Sequence, residues 1–347
     1  MTEFSLFLLG TTLKCIVVIA VLIGAVAYTT WLERKVVAHL QIRWGPSRVG
    51  WHGLLQPIAD VLKLLLKEDM TPGQASKLIY VLAPLIAFVP AALSITVIPF
   101  GSVAQFGSQT VRFQITDLNV GILFIFAVTS VGVYGVALGG WASNNKYSLM
   151  GGLRSSAQMI SYELSLGLSV VSVLLVTGTL SLGQIVDLQG GRWFGIIPKW
   201  NIFVFPLFIS FFTYFVSAIA ETNRLPFDLP EAENELVAGF HTEYSSMKFG
   251  MFFLTEYINM ITVSAIATTL FFGGWHGPAF GPVWLRGVLP LFWFVVKIVA
   301  FLLFYIWTRG TLPRFRYDQL MAFGWKFLVP LSLANVVLTS LVVAWRA

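Results

Sequence analysis

Residues 4–31 read FSLFLLGTTLKCIVVIAVLIGAVAYTTW, a run of 28 residues whose only charged side chain is Lys14. A helix of about 20 apolar residues crosses the roughly 30 Å hydrocarbon core of a bilayer. The apolar core of a signal peptide is shorter than this run, follows a basic segment and ends at a cleavage site of small residues. The run has none of these features, and it therefore predicts a retained first membrane span.

The whole chain shares the apolar character of this run. Of its 347 residues, 57% are hydrophobic and 11% are charged, and the mean hydropathy is +0.80. Soluble domains carry about 25% charged residues. We therefore predict an all-α polytopic membrane protein that forms one integral membrane domain, 1–347. Its eight predicted spans lie at about 6–31, 78–98, 119–140, 160–178, 202–220, 249–272, 289–308 and 327–345.

The basic residues predict the orientation of this domain. Fifteen lysines and arginines fall in the four loops on one side, and five fall in the loops and tail on the other. By the positive-inside rule the first set of loops faces the cytoplasm or matrix, and both termini face outward. This sorting explains the net charge of +6 without a nucleic-acid partner. The predicted inner loops are 32–77, 141–159, 221–248 and 309–326.

A shorter element is predicted within the first inner loop. Residues 54–68 read LLQPIADVLKLLLKE, in which the polar residues recur at intervals of four, three and four. This spacing places them on one stripe of a helix, with Leu, Ile and Val covering the rest of its surface. A helix at about 54–67 is too short to span, so we expect it to lie in the membrane interface. Its polar stripe consists of Gln56, Asp60, Lys63 and Lys67.

The composition also excludes several kinds of redox centre. An iron–sulfur cluster needs about four thiolates, whereas Cys15 is the single cysteine of the chain. All four histidines fall in predicted loops, which argues against a haem held between two spans. The glycine-rich loops that bind nucleotide phosphates do not occur. We therefore expect this chain to hold no cofactor of its own.

The third inner loop begins with an unusual acidic segment. Residues 221–243 read ETNRLPFDLPEAENELVAGFHTE and hold six of the sixteen carboxylates. Acidic groups beside hydrocarbon are costly and often mark a proton path, and carboxylates packed together hold protons more readily near neutral pH. Two alternatives remain: helix capping by Asp228 and Glu231, or a solvated acidic loop. The six residues are Glu221, Asp228, Glu231, Glu233, Glu235 and Glu243.

Ionisable residues within the spans are candidates for the same path. Glu163 and Glu256 lie near the inner ends of their spans, each beside a tyrosine, Tyr162 or Tyr257, that can donate a hydrogen bond. Intramembrane charges of this kind are functional hypotheses. The alternative is one static ion pair between a glutamate and a lysine, for which Lys297 is the favoured cation.

Arginines beside aromatic residues recur in the inner loops, as in residues 33–35, 43–46 and 309–318. They serve topology and contact with anionic lipid in one interpretation. In the other they dock an inner-side partner or steady a polar head group. The sequence alone leaves both interpretations open.

Several of these stretches resemble the H-subunit family of proton-translocating NADH:quinone oxidoreductase, respiratory complex I. The resemblance extends over nearly the whole chain and is most specific in PFDLPEAENELVAG. The matching stretches are 31–68 (WLERKVVAHLQIRWGPSRVGWHGLLQPIADVLKLLLKE), 154–166 (RSSAQMISYELSL), 221–244 (ETNRLPFDLPEAENELVAGFHTEY), 252–259 (FFLTEYIN) and 311–326 (TLPRFRYDQLMAFGWK).

The resemblance implies roles for particular residues. It implies that the chain forms much of a chamber through which a lipid quinone reaches the redox centre of neighbouring subunits. Arg34, Asp60 and Phe240 are the residues that it implies for this chamber. It also implies a proton path through the acidic loop residues named above and the buried carboxylates Glu163 and Glu256.

The resemblance further implies partners and a location. Quinone would be the substrate, while NAD, FMN and iron–sulfur clusters would belong to partner subunits. The partners would be the quinone-site and terminal iron–sulfur subunits on the inner face, small membrane subunits leading to antiporter-like ones, and membrane lipids. The location would be the bacterial cell inner membrane or the mitochondrial inner membrane.

Our hypothesis for the mechanism is that quinone reduction changes charge near the acidic loop, and that this change passes along the membrane arm. One alternative is the membrane anchor of a related energy-converting hydrogenase. A second is a standalone ion carrier, although carriers usually show internal repeats and none is visible here. A third is a purely structural anchor.

Overall fold

The computed structural model describes residues 3–106, 109–111, 113–193, 197–228, 237–278 and 283–346, and its secondary structure is almost entirely helical. This confirms the predicted all-α class. One π-helical turn, Gly324–Leu328, joins the last two helices. The eleven α-helices of the described residues are α1 (Glu3–Leu40), α2 (Gln56–Leu66), α3 (Lys77–Ser94), α4 (Gly121–Ala142), α5 (Lys146–Thr177), α6 (Leu182–Leu188), α7 (Leu207–Glu221), α8 (Ser246–Phe271), α9 (Val283–Thr311), α10 (Tyr317–Phe323) and α11 (Val329–Arg346).

Two small hairpins lie in the loops that the sequence assigns to the outer side. Strand β1 (Ala104–Phe106) pairs antiparallel with β2 (Gln109–Val111), with Ala104 opposite Val111. Strand β3 (Arg192–Trp193) pairs antiparallel with β4 (Ile197–Pro198). These strands close outer loops and take no part in the helical core.

The lengths of the helices fit a chain that crosses a membrane several times. Among the described residues, seven helical segments are long and apolar enough to span a membrane, and the longest runs from Leu8 to Leu40. The predicted span 202–220 corresponds to α7, a shorter apolar helix of 15 residues. At 1.5 Å per residue α7 covers about 22 Å, less than the hydrocarbon core. Its serines, Tyr214 and Thr213 are buried, so α7 packs inside the bundle.

Helix α5 begins well before the predicted span 160–178. The side chain of Asn145 accepts a hydrogen bond from the Tyr147 N–H and so caps the first turn. The early turns contain small buried residues, among them Gly151 and Ser155, which pack against neighbouring elements rather than lipid. Hydropathy underestimates this helix because close packing, and not apolar surface, stabilises its first half.

The surface and the core of the bundle reverse the pattern of a soluble protein. Tyr162, Tyr214 and Met260 are almost fully buried in a core formed by α5, α7 and α8. Large aliphatic side chains such as Val21 and Leu341 are, by contrast, more than 60% exposed. An apolar outer surface of this extent is stable only against lipid or other membrane helices. The chain is therefore a multi-pass membrane protein.

The predicted amphipathic helix is present as α2, and polar contacts hold both of its ends. At one end Asp60 pairs with Arg34 of α1 at 2.6 Å. At the other, the Ser246 hydroxyl donates to the Leu64 carbonyl at 2.9 Å, and Lys248 pairs with Asp69 at 2.9 Å. The leucines of α2 that point away from the bundle, including Leu62, Leu65 and Leu66, are exposed. Gln56 and Asp60 of the polar stripe thus face the protein, whereas Lys63 and Lys67 are exposed and the apolar face looks outward.

Candidate functional site

A buried carboxylate, Glu33 on α1, lies at the centre of a network of charged side chains. Arg224, in the loop after α7, places its Nη1 3.1 Å from both oxygens of Glu33. The hydroxyl of Tyr257 on α8 donates to Glu33 Oε2 at 2.8 Å, and Arg309 on α9 pairs with Oε1. Three helices and one loop therefore meet at a single carboxylate.

Arg224 links this carboxylate to a second one. Its Nε lies 2.6 Å from Oε1 of Glu256, and its guanidinium lies 4.2 Å from the centre of the Tyr257 ring. The side chains of Arg224 and Glu33 are only 7% and 8% exposed. Two carboxylates and two guanidiniums thus balance their charges in a buried site. Buried charges are tolerated when they are paired in this way, and removing one partner is costly.

The structure corrects the predicted partner of the intramembrane glutamates. Glu256 pairs with Arg224 and not with Lys297. The ammonium of Lys297 instead donates to three carbonyl oxygens just beyond the outer end of α8, those of Phe272, Gly274 and His276, at 2.7–2.8 Å. Carbonyls at a helix C-terminus lack partners within the helix and lie at its negative end, so they attract a cation.

The stem of the acidic segment is bound to the loop that precedes α10. Asp228 Oδ2 lies 3.2 Å from Arg314 Nη2, the Phe315 N–H donates to the Pro226 carbonyl at 3.1 Å, and Phe227 stacks on Phe315. These contacts hold the segment where it leaves the bundle. Glu231, Glu233 and Glu235, and with them the capping box predicted for Glu231, lie outside the described residues.

A narrow cavity of about 50 Å³ lies behind the network. A buried water needs roughly 10–15 Å³, so the cavity has room for about three to five water molecules. Polar groups from α7, α8 and the connection between them line it beside a phenylalanine wall. Its polar lining includes Glu221, Thr222, Asn223, His241, Glu256 and Asn259.

A second, smaller cavity lies next to the first. Glu221, Thr222 and Asn259 line both cavities. The second also touches Thr129 and Tyr214, on α4 and α7. Oε2 of Glu221 is buried and has no hydrogen-bond donor among the described residues. The two cavities thus share a polar wall, and Glu221 is the acid in that wall.

Glu163 lies on the α4 side of these cavities. It accepts a hydrogen bond from the Ser130 hydroxyl, next to Thr129 in the wall of the second cavity. The charges of Glu163 and Glu221 interact. The structure therefore brings three of the predicted acids into one region: Glu256 and Glu221 line the narrow cavity, and Glu163 lies beside the second cavity.

Glu243 lies apart from this region. Its carboxylate accepts a hydrogen bond from the Asn145 amide at 2.7 Å, and its carbonyl accepts one from the Tyr80 hydroxyl at 2.6 Å. It lines a separate open pocket with Lys146. These contacts stabilise the junction of α3, α5 and the loop before α8.

The residues implied for a quinone chamber separate into two places. Arg34 and Asp60 are paired, and the Gln56 amide also donates to Asp60 at 2.9 Å. An open groove of about 740 Å³ lies beside them, between α1, α2 and the loop 43–48. Phe240 lies instead in the wall of the narrow cavity, edge-on to His241. The charged residues of the groove are Glu33, Arg34, Arg43, Arg48 and Arg309.

His241 differs from an ordinary histidine in its pKa. Burial lowers the pKa of its imidazole from the usual 6.5 to about 4, although the negative charge of Asp228 opposes this shift. The imidazole is therefore neutral near pH 7. Buried Tyr244, three residues further along, likewise has its pKa raised by burial.

Sequence reasoning gave no individual role to four residues of the site, Glu33, Arg224, His241 and Arg309, although Glu33 and Arg309 lie in stretches that it singled out for partner or head-group contact. Leu22, Val26, Thr29 and Glu33 are the buried positions of one face of α1, at intervals of four, three and four. That spacing is a helical stripe. It is hard to recognise because α1 is apolar on every side, so no polar face marks the opposite surface. Within the described ranges, no group of three or more His, Cys, Asp or Glu side chains is placed to hold a metal ion.

Comparison with known proteins gives a consistent result. A family model described as NADH dehydrogenase matches residues 13–340. One H subunit of the NADH-quinone oxidoreductase of Koribacter versatilis is 59% identical over 100% of both chains. The corresponding protein of Solibacter usitatus is 52% identical over 98% of each chain. That of Protochlamydia amoebophila is 54% identical over 91% of this chain and 92% of its own length.

Proposed function

The chain belongs to the family of NADH-quinone oxidoreductase H subunits, the complex I subunit 1 family, and from this premise we propose its function. It acts as a membrane component of a multi-subunit, proton-translocating NADH:quinone oxidoreductase in the bacterial inner membrane. It forms much of the chamber through which a lipid quinone enters. It also couples reduction of that quinone to proton movement through its buried acids.

One observation carries this proposal: an unbroken chain of charged contacts joins the open groove to the narrow cavity. Glu33 and Arg309 line the groove, Arg224 touches both Glu33 and Glu256, and Glu256 lines the cavity. A change of charge in the groove therefore alters the electrostatic environment of Glu256, because Glu33 and Glu256 share the guanidinium of Arg224.

The shape and chemistry of the groove suit a quinone. A lipid quinone combines a head group bearing two carbonyl oxygens with a long apolar tail. Arg34 and Arg309 supply N–H donors for carbonyl oxygens, while the exposed leucines of α2 present an apolar edge to the bilayer. Since both ends of α2 are held by polar contacts, this edge can form a stable frame for lateral entry.

The coupling step follows from the sharing of Arg224. Reduction of the quinone takes two electrons from partner subunits, which would carry NAD, FMN and the iron–sulfur clusters, and two protons to give the quinol. The negative charge that forms before these protons arrive draws Arg309 away from Glu33. Arg224 then compensates Glu33 more fully and Glu256 less fully, which favours protonation of Glu256 from the cavity. The proton continues by way of Glu221 toward Glu163 and the neighbouring membrane subunits.

In this proposal the acidic segment donates protons to the path. Asp228 lies at its stem, and Glu231, Glu233 and Glu235 follow it in the chain. The carboxylate of Glu243 accepts a hydrogen bond from Asn145. This contact does not support the predicted place of Glu243 on the proton path. The relatives' names support a quinone oxidoreductase over the anchor of a hydrogenase.

The substitution Glu256→Gln tests the coupling in the assembled enzyme. We expect quinone reductase activity to persist while the number of protons moved per electron falls by at least half, because the glutamine takes up no proton. Asp187→Asn on the outer helix α6 is the matched control and should leave both unchanged. NADH-driven quinone reduction and acidification of inverted vesicles measure the two quantities. A normal proton-to-electron ratio in Glu256→Gln would refute the coupling proposal.

A further inference from the structure

We propose that His241 relays protons between Asp228, at the stem of the acidic segment, and Glu221, an inference that rests on the function proposed above. His241 ends the turn Gly239–His241, which lies near the C-terminal end of the acidic segment. Its side chain lines the narrow cavity together with Glu221 and Glu256. It is the one histidine among the described residues that lines this cavity, and the coupling step above makes no use of it.

The backbone of His241 is held in place by a close contact between two glycines. A Cβ on Gly151 of α5 would lie 2.7 Å from the Gly239 Cα, so only glycine permits the turn to approach α5 this closely. Gly239 itself has φ +60°, a conformation that favours glycine. The Thr242 hydroxyl closes the turn by donating to the Gly239 carbonyl at 2.7 Å.

Aromatic rings orient the imidazole on this backbone. Phe240 and Phe249 both meet it edge to face, with ring centres 4.9 and 5.3 Å away. These contacts orient the ring toward the cavity before the reaction. Little further side-chain freedom is therefore lost when a proton is transferred. The imidazole thus has a fixed position in the wall of the cavity that Glu221 also lines.

The charged groups around His241 come from three elements and differ in how they are compensated. Glu256 of α8 is paired with Arg224, and Asp228 of the stem is paired with Arg314. Glu221, at the end of α7, has an oxygen with no donor among the described residues. Glu221 is therefore the acid in this cavity that is stabilised most by accepting a proton from His241.

The neutral state of the imidazole suits a relay. A neutral imidazole carries one N–H donor and one bare nitrogen acceptor. A proton from Asp228 binds the unprotonated nitrogen, and the proton on the other nitrogen leaves through cavity water to Glu221. The ring ends neutral as the other tautomer, so one proton enters and one leaves. The low pKa keeps the imidazolium short-lived, which allows the second transfer to follow the first.

The substitution His241→Gln in the assembled enzyme tests this inference. Glutamine keeps a donor and an acceptor but cannot exchange them by tautomerisation. We expect the rate of proton translocation to fall at least tenfold, in line with the effect of losing a positioned proton-transfer group. His276→Gln is the matched control, since His276 lies beyond the outer end of α8 and should leave translocation unchanged. Translocation at the normal rate in His241→Gln would overturn the relay.

A second variant separates proton transfer from a structural role of the ring. In His241→Ala, added imidazole should enter the space left by the ring and restore proton translocation several-fold. The same addition to Glu221→Ala should restore nothing. Failure of imidazole to restore any translocation in an assembled His241→Ala enzyme would count against the relay.

The comparison with Glu221→Gln distinguishes the two proposals. If Glu221→Gln stops translocation while His241→Gln leaves it normal, the relay is refuted and the coupling route stands. If both variants translocate protons normally, the function proposed for the cavity is refuted as well. Loss of translocation in both supports the relay.

Discussion

The two ends of α8 both hold a buried cation, but they hold it in different ways. At the inner end Arg224 is shared by two carboxylates, Glu33 and Glu256, and lies on the Tyr257 ring. At the outer end Lys297 is held by three backbone carbonyls and lies 4.7 Å from the centre of the Trp200 ring. Side-chain carboxylates can rotate and take up protons, whereas backbone carbonyls can do neither.

The difference indicates which end can switch and which end anchors. A guanidinium between two carboxylates has more than one arrangement of similar energy, and such an element can be biased by a charge nearby. The outer end is further tied down by Gln189, whose amide donates to the Thr269 carbonyl at 2.8 Å, and by Asn201, which donates to the Leu270 carbonyl at 2.7 Å. The side chains at the inner end can therefore respond to a change of charge, whereas the hydrogen bonds at the outer end hold that end of α8 in place.

The largest effect is expected from breaking the inner end. Arg224→Met leaves two buried carboxylates with one guanidinium, at a cost of about 3–5 kcal/mol. We expect little assembled enzyme, measured as the amount of intact complex recovered from membranes. Adding Glu256→Gln to this variant should restore part of the yield, because it removes one of the uncompensated charges. Full yield with Arg224→Met alone would contradict the buried network.

A smaller effect is expected from breaking the outer end. Lys297→Met deprives three carbonyls of their donor, and we expect a loss of about 2–3 kcal/mol of stability. The assembled enzyme should lose activity at a lower temperature yet keep its normal ratio of protons to electrons. Lys14→Met, on the exposed face of α1, is the matched control. A lowered ratio with Lys297→Met would show that Lys297 takes part in proton movement and is more than an anchor.

The smallest effect for a single step is expected from changing the pH around His241, at most about 1.4 kcal/mol per pH unit. An unfolded histidine titrates near 6.5 and His241 near 4, so between these values the unfolded state binds more protons. The contribution of His241 to stability is therefore present above pH 6.5 and is lost as the pH falls toward 4. Thermal inactivation measured across this range should depend less on pH in His241→Gln than in the parent enzyme. Equal pH dependence in both would contradict a neutral, buried imidazole.

The helices were largely predictable because membrane spans follow from local hydropathy. The run around residues 4–31 and the spacing of α2 both predicted elements that the structure contains. The start of α5 was missed because Gly151 and its small neighbours stabilise that helix by close approach to another element, which no property of the segment reveals.

The sequence predicted that buried acids form the candidate site, but it did not predict all of their contacts. Glu163 and Glu256 were identified because an acid is costly in an apolar span, and Glu221 was identified as part of the acidic segment. In the structure Glu221 and Glu256 line the narrow cavity, and Glu163 is bonded to Ser130 beside the second cavity. The alternative of a glutamate paired with Lys297 does not describe Glu256, which pairs with Arg224, since sequence distance does not tell which cation reaches a given acid.

The sequence by itself determined that this chain is a helical membrane protein, to which family it belongs and which acids are out of place in lipid. These properties depend on composition, local periodicity and motifs. Only the tertiary structure decided that Glu33 joins Arg224 and Arg309, that Glu243 stands apart and that His241 lines the cavity. These contacts join residues up to 276 positions apart in the chain, and which of them form depends on how the helices pack.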